Sequence, residues 1–111
     1  MKKIRHIETF KNYFEDFFVQ LPQKVKDKYI WTFQLIEEIE QVPENYFKHT
    51  VDGIYEIRVK FGSNIYRTFC FFEVEKLVIL ANSIHKKSQK LPKKEIERAI
   101  KIREEYNQEN K

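Results

Sequence analysis

The stretch that decides the fold runs Ile54-Tyr55-Glu56-Ile57-Arg58-Val59-Lys60-Phe61, then Gly62-Ser63-Asn64, then Ile65-Tyr66-Arg67-Thr68-Phe69-Cys70-Phe71-Phe72. In its first part Tyr55, Ile57, Val59 and Phe61 point one way and Ile54, Glu56, Arg58 and Lys60 the other, the period of two of a half-buried strand. Gly62-Ser63-Asn64 is turn chemistry, and the residues after it are β-branched and aromatic, so the two runs form an antiparallel hairpin. Asp52-Gly53 marks the turn that opens it. Glu73-Val74-Glu75-Lys76 turns the chain again into Leu77 to Ile84, whose continuous apolar start fits a strand buried on both faces. Three strands therefore form a meander.

Around this meander the period changes to that of helices. Lys3 to Glu8 reads as a short first strand, with Thr9 as an N-cap. Phe10, Phe14, Phe17, Phe18 and Leu21 then recur at helical spacing as far as Pro22, which suits the first turn of a second helix. The inward stripe of that helix is Val25, Tyr29, Phe33, Ile36 and Ile39, ending before Pro43. A last helix runs from about Pro92 to Tyr106 with Ile96, Ala99, Ile100 and Tyr106 on its apolar side. The expected fold is α+β, a small antiparallel sheet in the order β-α-α-β-β-β-α with an N-terminal helical hairpin and a C-terminal helix.

Nothing in the chain divides it. With 111 residues, 41% hydrophobic and 34% charged, and only 2 Gly and 3 Pro, residues 1–111 read as one domain. The longest apolar run, Leu77 to Ala81, is far below the roughly 20 residues of a membrane span, and no signal-like apolar core follows the first lysines. A cytoplasmic protein is expected, and the lone Cys70 agrees with a reducing compartment. The net charge of +4 has a location: residues 1 to 84 carry 12 basic and 12 acidic groups, whereas residues 85 to 111 carry 9 and 5. His85 to Lys94 holds five lysines and no acid. Such a cluster is the footprint of a polyanion partner, or else a solvated basic helix start.

Several chemistries are set aside because their residues are missing. The chain has no Gly-rich phosphate loop, no His-Glu-x-x-His, no Gly-x-Ser-x-Gly and no carboxylate cluster of the two-magnesium kind. His6, His49 and His85 lack ligand spacing, so neither a metal nor another cofactor is expected. What remains is a set of cations on sheet and turn: Arg58 on one strand, Arg67 on the next, and His85-Lys86-Lys87 at the exit of the third. A four-residue loop at Phe61 to Asn64 sets Arg58 directly opposite Arg67, whereas a three-residue loop puts them on opposite faces. An arginine inside Ile65-Tyr66-Arg67-Thr68-Phe69 calls for a partner. That partner is either a carboxylate such as Glu56 or a phosphate.

Three ordered motifs carry a resemblance that covers nearly the whole chain: Lys48-His49-Thr50-Val51-Asp52-Gly53-Ile54-Tyr55-Glu56-Ile57-Arg58-Val59, then Asn64-Ile65-Tyr66-Arg67-Thr68-Phe69, then His85-Lys86-Lys87-Ser88-Gln89-Lys90-Leu91-Pro92-Lys93-Lys94-Glu95-Ile96. They resemble the RelE/ParE toxin superfamily, most closely its HigB-like, phage-derived branch. One departure is Leu91, where a threonine cap is expected before the proline. The resemblance implies a type II toxin that cleaves mRNA on the translating ribosome as an endoribonuclease and is silenced by a helix-turn-helix antitoxin encoded beside it.

Metal-free RNA cleavage uses the 2′-hydroxyl as nucleophile. It requires a proton acceptor, cations for the phosphorane and a donor for the 5′-oxygen. On this reading Arg58 and Arg67 grip the scissile phosphate and Lys86 and Lys87 come next. His85, able to take and give a proton near neutrality, is the acid/base candidate. Lys48, Lys60, Gln89, Lys90, Lys93 and Lys94 are assigned to RNA or ribosome contacts. Two other readings keep the same residues: a ParE-like inhibitor of DNA gyrase, and a basic nucleic-acid-binding module without catalysis.

Overall fold

The hairpin takes the register in which Arg58 faces Arg67. In a computed structural model describing residues 3–86, 90 and 92–110, β3 (Ile54–Phe61) pairs with β4 (Asn64–Val74) from Ile54↔Phe71 through Arg58↔Arg67 to Phe61↔Asn64. Gly62 opens the loop at a φ of 63°, a conformation a glycine adopts without a Cβ clash. The elements before the hairpin are β1 (His6–Glu8), α1 (Tyr13–Phe18), α2 (Gln23–Glu38) and β2 (Phe47–Val51), and after it come β5 (Leu77–Lys86) and α3 (Lys93–Glu109).

The described sheet has five strands in the order β1-β5-β4-β3-β2. It departs from the sequence expectation in two ways. A strand, β2, precedes the Asp52-Gly53 turn, so the meander has four strands rather than three. Asp52 and Gly53 both take positive φ, 60° and 77°, the type I′ geometry that joins two antiparallel strands through two residues. The strand was hidden because a bulge between His49 and Val51 breaks its period of two. The sheet is also mixed, since β1 pairs in parallel with β5 through His6↔Leu77, Ile7↔Val78 and Glu8↔Ile79. The helical hairpin carries the chain from this edge across one face to β2 on the other.

Helices cover both faces, so β3 is not half-buried: Ile54, Glu56, Ile57 and Val59 are all buried. One core lies under α1 and α2, with Phe14, Val25, Tyr29, Ile36, Ile57, Val59, Tyr66, Cys70 and Leu80. The second lies under α3, with Phe10, Ile54, Phe69, Phe71, Ile79, Ala81, Ile96, Ala99 and Ile102. Phe10 and Phe14 therefore belong to different cores. The chain crosses between them at Lys11, whose φ is 51°, and α1 begins only at Tyr13 without a side-chain cap from Thr9. In α2 the stripe holds at Val25, Tyr29 and Ile36, but Ile39 lies past the helix end and is exposed. In α3, Ile102 joins Ile96 and Ala99 in the core. Pro92 occupies its N-cap position without a side-chain cap bond, and Leu91 lies outside the described residues.

Within the first core a polar chain threads the apolar packing: the Tyr29 hydroxyl lies 2.9 Å from Thr68 Oγ1, which lies 2.9 Å from Ser83 Oγ. Burial pushes the Tyr29 phenol far above its ordinary range, so it stays protonated as a hydrogen-bonding group. The end of α2 is tied to the first strand by Arg5, whose guanidinium donates to the carbonyls of Ile36 at 2.9 Å, Ile39 at 2.8 Å and Glu40 at 2.7 Å. A cation at a helix C-terminus satisfies carbonyls that the helix leaves without partners. Replacing Arg5 with alanine is expected to lower the unfolding free energy by about 1–2 kcal/mol. Urea unfolding of the two proteins measures the difference, and an unchanged midpoint would remove Arg5 from this role.

Candidate functional site

The pairing of β2 with β3 ends at Phe47↔Ile57, and one residue later the Arg58 amide donates to the Tyr46 carbonyl at 2.9 Å. Beyond that point the edge of β3 opens into a cleft of about 530 Å³, walled by Lys28 of α2, Asn45 and Tyr46 of the α2–β2 loop, and Arg58, Lys60 and Ile65 of the hairpin. Gly62 completes the lining, in which three of seven residues are cations and none is an acid. Trp31, one turn along α2 from Lys28, meets the Tyr46 ring edge-on at 5.5 Å. The Lys28 ammonium stands 4.9 Å from the centre of the same indole.

Arg58 is placed by the sheet behind it. Glu56, two residues away on the same strand face, has an oxygen 3.0 Å from Arg67 Nε and 3.8 Å from Arg58 Nε. Arg67 also donates through Nη1 to the Lys90 carbonyl at 3.0 Å. One buried carboxylate thus stands between two guanidiniums and leaves an excess of positive charge at the cleft wall. The two arginines are not equivalent. Arg67 is only 2% exposed, whereas the Arg58 side chain is 22% exposed and reaches the cleft. The carboxylate partner anticipated for Arg67 is Glu56, and Arg67 stands behind Arg58 rather than beside it.

Other expected site residues divide by location. Lys60 lies in the cleft wall, and Lys48, exposed on β2, is the register partner of Glu56. Lys90 is brought to the site by its carbonyl bond to Arg67, and Lys93 and Lys94 are exposed in the first turn of α3. The Lys86 backbone pairs with Ile65, a cleft residue. Lys87 and Gln89 lie outside the described residues.

His85 is not brought to the arginines. As the register partner of Tyr66 it falls on the face covered by α1 and α2, stacked on the Tyr66 ring at 4.3 Å and 2.9 Å from Asn64 Oδ1. The period of two explains this, because Arg67 and Tyr66 are neighbours on β4 and must face opposite ways. His49 packs edge-on against Tyr55 at 5.1 Å. Among the described residues no three His, Cys, Asp or Glu side chains come together as a metal-ligand group. Cys70 is fully buried, and burial raises its thiol far above the range in which it would react.

Sequence reasoning missed Lys28, Asn45 and Tyr46. Lys28 belongs to the polar side of an amphipathic helix, where a lysine carries no local sign of function. Asn45-Tyr46 precedes a strand that the bulge conceals. The run Lys24, Lys26, Lys28 was the one available signal, since α2 carries no acid in its first turn.

Residues 16–104 match the family model described as phage derived protein Gp49-like. No curated protein matches the chain.

The arrangement places Glu56 between the two guanidiniums. Removing one partner of a buried pair leaves the other charge uncompensated, so Glu56→Ala is expected to cost about 3–5 kcal/mol of stability. Arg58→Ala, which removes the less buried of the two arginines and the longer of the two contacts to Glu56, is expected to cost less than Glu56→Ala. Chemical denaturation of both variants tests the ordering, and an Arg58→Ala loss equal to that of Glu56→Ala would overturn it.

Proposed function

The chain belongs to the phage-derived Gp49-like family, a RelE-like toxin family, and from that premise we propose that it is the toxin of a type II toxin–antitoxin pair that cleaves mRNA on the ribosome. On this reading it is of the HigB-like kind, acts in the cytoplasm and is held inactive by a helix-turn-helix antitoxin. The observation that carries the proposal is the cleft wall of Lys28, Arg58 and Lys60, with Arg58 oriented from behind by the Glu56–Arg67 pair.

In the proposed reaction the 2′-oxygen attacks the adjacent phosphorus and the P–O5′ bond breaks. The products are a 2′,3′-cyclic phosphate and a 5′-hydroxyl. Negative charge gathers on the non-bridging oxygens as the phosphorane forms. A planar guanidinium fixed in advance can meet two of them at once, with no reorganisation at the moment of reaction. Arg58 takes that role, Lys60 and Lys28 supplement it, and Arg67 acts as a positioning residue. Lys86 and Lys87 are assigned to further phosphate or rRNA contacts, while Lys48, Gln89, Lys90, Lys93 and Lys94 contact RNA or the ribosome. Their contribution is expected to fall steeply with salt. His85, on the other face, has no part in this arrangement.

The placement of Arg67 decides which variant is informative. Arg67→Ala strands a buried carboxylate, so lost activity would not separate chemistry from folding. Arg58→Ala does separate them. In a reconstituted translation reaction with 5′ ends mapped by primer extension, the wild-type protein is expected to cut the translated message in a ribosome-dependent way. Arg58→Ala is expected to slow cleavage about 100-fold or more while melting close to wild type. Intact message with the wild-type protein would overturn the nuclease reading and turn the question to DNA supercoiling by gyrase.

A further inference from the structure

Nearly all the aromatic rings of this chain are spent in the two cores. Of its 10 Phe, 6 Tyr and 1 Trp, only Trp31 and Phe61 are exposed, at 45% and 41%. They come from distant parts of the chain, one from the middle of α2 and the other from the end of β3, yet both line one surface hollow of about 420 Å³. Lys24, Asp27 and Lys28 complete that hollow. Lys28 also lines the cationic cleft with Arg58 and Lys60, so the two depressions share a wall.

Rings beside cations along a continuous surface match the chemistry of a single-stranded nucleic acid, in which flat bases alternate with phosphates. The two depressions divide the task. The cleft carries cations without an acid, which suits phosphate. The hollow carries two rings and an internal acid, Asp27, held by the Gln23 amide at 2.9 Å, which suits a base better than an anion. The indole is also held in place, by the edge-on Tyr46 ring at 5.5 Å and the Lys28 ammonium at 4.9 Å. A ring ordered before binding loses little entropy when a base stacks on it.

We infer that Trp31 and Phe61 form a base-stacking subsite for single-stranded RNA, occupied by a nucleotide flanking the phosphate that lies at Arg58 and Lys60. The inference rests on the nuclease reading for its substrate and adds to that reading the surface that holds the strand. Stacking on a ring is tolerant of base identity, so this subsite supplies affinity and orientation rather than a sequence preference.

Trp31 is the single tryptophan of the chain, and its emission reports on the subsite without a label. The full chain is titrated with a 12-nucleotide single-stranded RNA carrying 2′-O-methyl groups, which removes the nucleophile and prevents turnover. Saturable quenching of the indole is expected, with little from inorganic polyphosphate of equal charge. By anisotropy of the same oligonucleotide bearing a dye, Trp31→Ala and Phe61→Ala are each expected to weaken binding about 5- to 100-fold, and Trp31→Phe to recover part of the loss. Thermal melts matching the wild type show that each variant is folded.

Equal quenching by polyphosphate, or unchanged affinity in both alanine variants, would overturn the inference. So would quenching by the purified antitoxin but not by RNA, which would make the hollow a protein interface. The cleavage assay separates the two claims. Quenching by RNA without cleavage keeps the subsite and removes the nuclease, and cleavage without quenching does the reverse.

Discussion

A single carboxylate, Glu56, holds the two arginines of the central hairpin together. It is buried between Arg67, whose Nε lies 3.0 Å away, and Arg58, whose Nε lies 3.8 Å away. A charged triad inside a sheet covered on both faces is costly to desolvate, and it persists only where its members satisfy one another. The hairpin register meets that condition. With Arg58 directly opposite Arg67, and Glu56 two residues along the same face, all three head groups converge. A slip of one residue would send Arg67 into the core packed by α1 and α2, where Tyr66 and Thr68 now sit. The ion pair and the register therefore enforce each other.

Covering both faces also gives the two arginines different work. Arg67 lies toward the middle of the sheet, where β3 and β5 flank it and the Lys90 carbonyl accepts its outer N–H. Arg58 lies where β2 has already ended, and the missing strand is what opens the cleft. The site is thus a consequence of unequal strand lengths: a five-residue β2 against an eight-residue β3 leaves the last turn of the hairpin without a neighbour. Into that gap α2 projects Lys28. The helical hairpin that closes one core also supplies one side of the cleft.

Most of the architecture was legible in the sequence, because hydrophobic period and turn chemistry act locally. The three strands after Asp52-Gly53, the second helix and the last helix each follow from spacing that any short window displays. What was illegible depended on long-range partners. The stripe Phe10, Phe14, Phe17 and Phe18 reads as one helical face, yet Phe10 packs against Tyr106 at 5.1 Å on the α3 side while Phe14 packs against Tyr29 at 5.5 Å on the other. No local pattern reveals that a chain changes core between two phenylalanines. At the candidate site, the depth of each arginine was not legible, because burial of Arg67 depends on partners distant in sequence, Glu56 and the Lys90 carbonyl. His85 is close to the lysines in sequence but lies on the opposite face of the sheet from Arg67, because strand alternation sends adjacent residues to opposite faces.

Burial of Arg67 changes how an arginine in such a sheet motif should be understood. An exposed guanidinium is flexible, solvated and slow to organise around a developing charge. One that is anchored on a carboxylate cannot itself reach substrate, but it fixes that carboxylate, and the carboxylate in turn orients a second guanidinium that does reach the cleft. Electrostatic stabilisation is strongest where the donors are already in place and water is partly excluded. In the proposed reading the interior arginine contributes organisation, and the edge arginine contributes contact. A motif with two arginines on facing strands therefore encodes a depth gradient, and the strand that stops short decides which of the two faces the ligand.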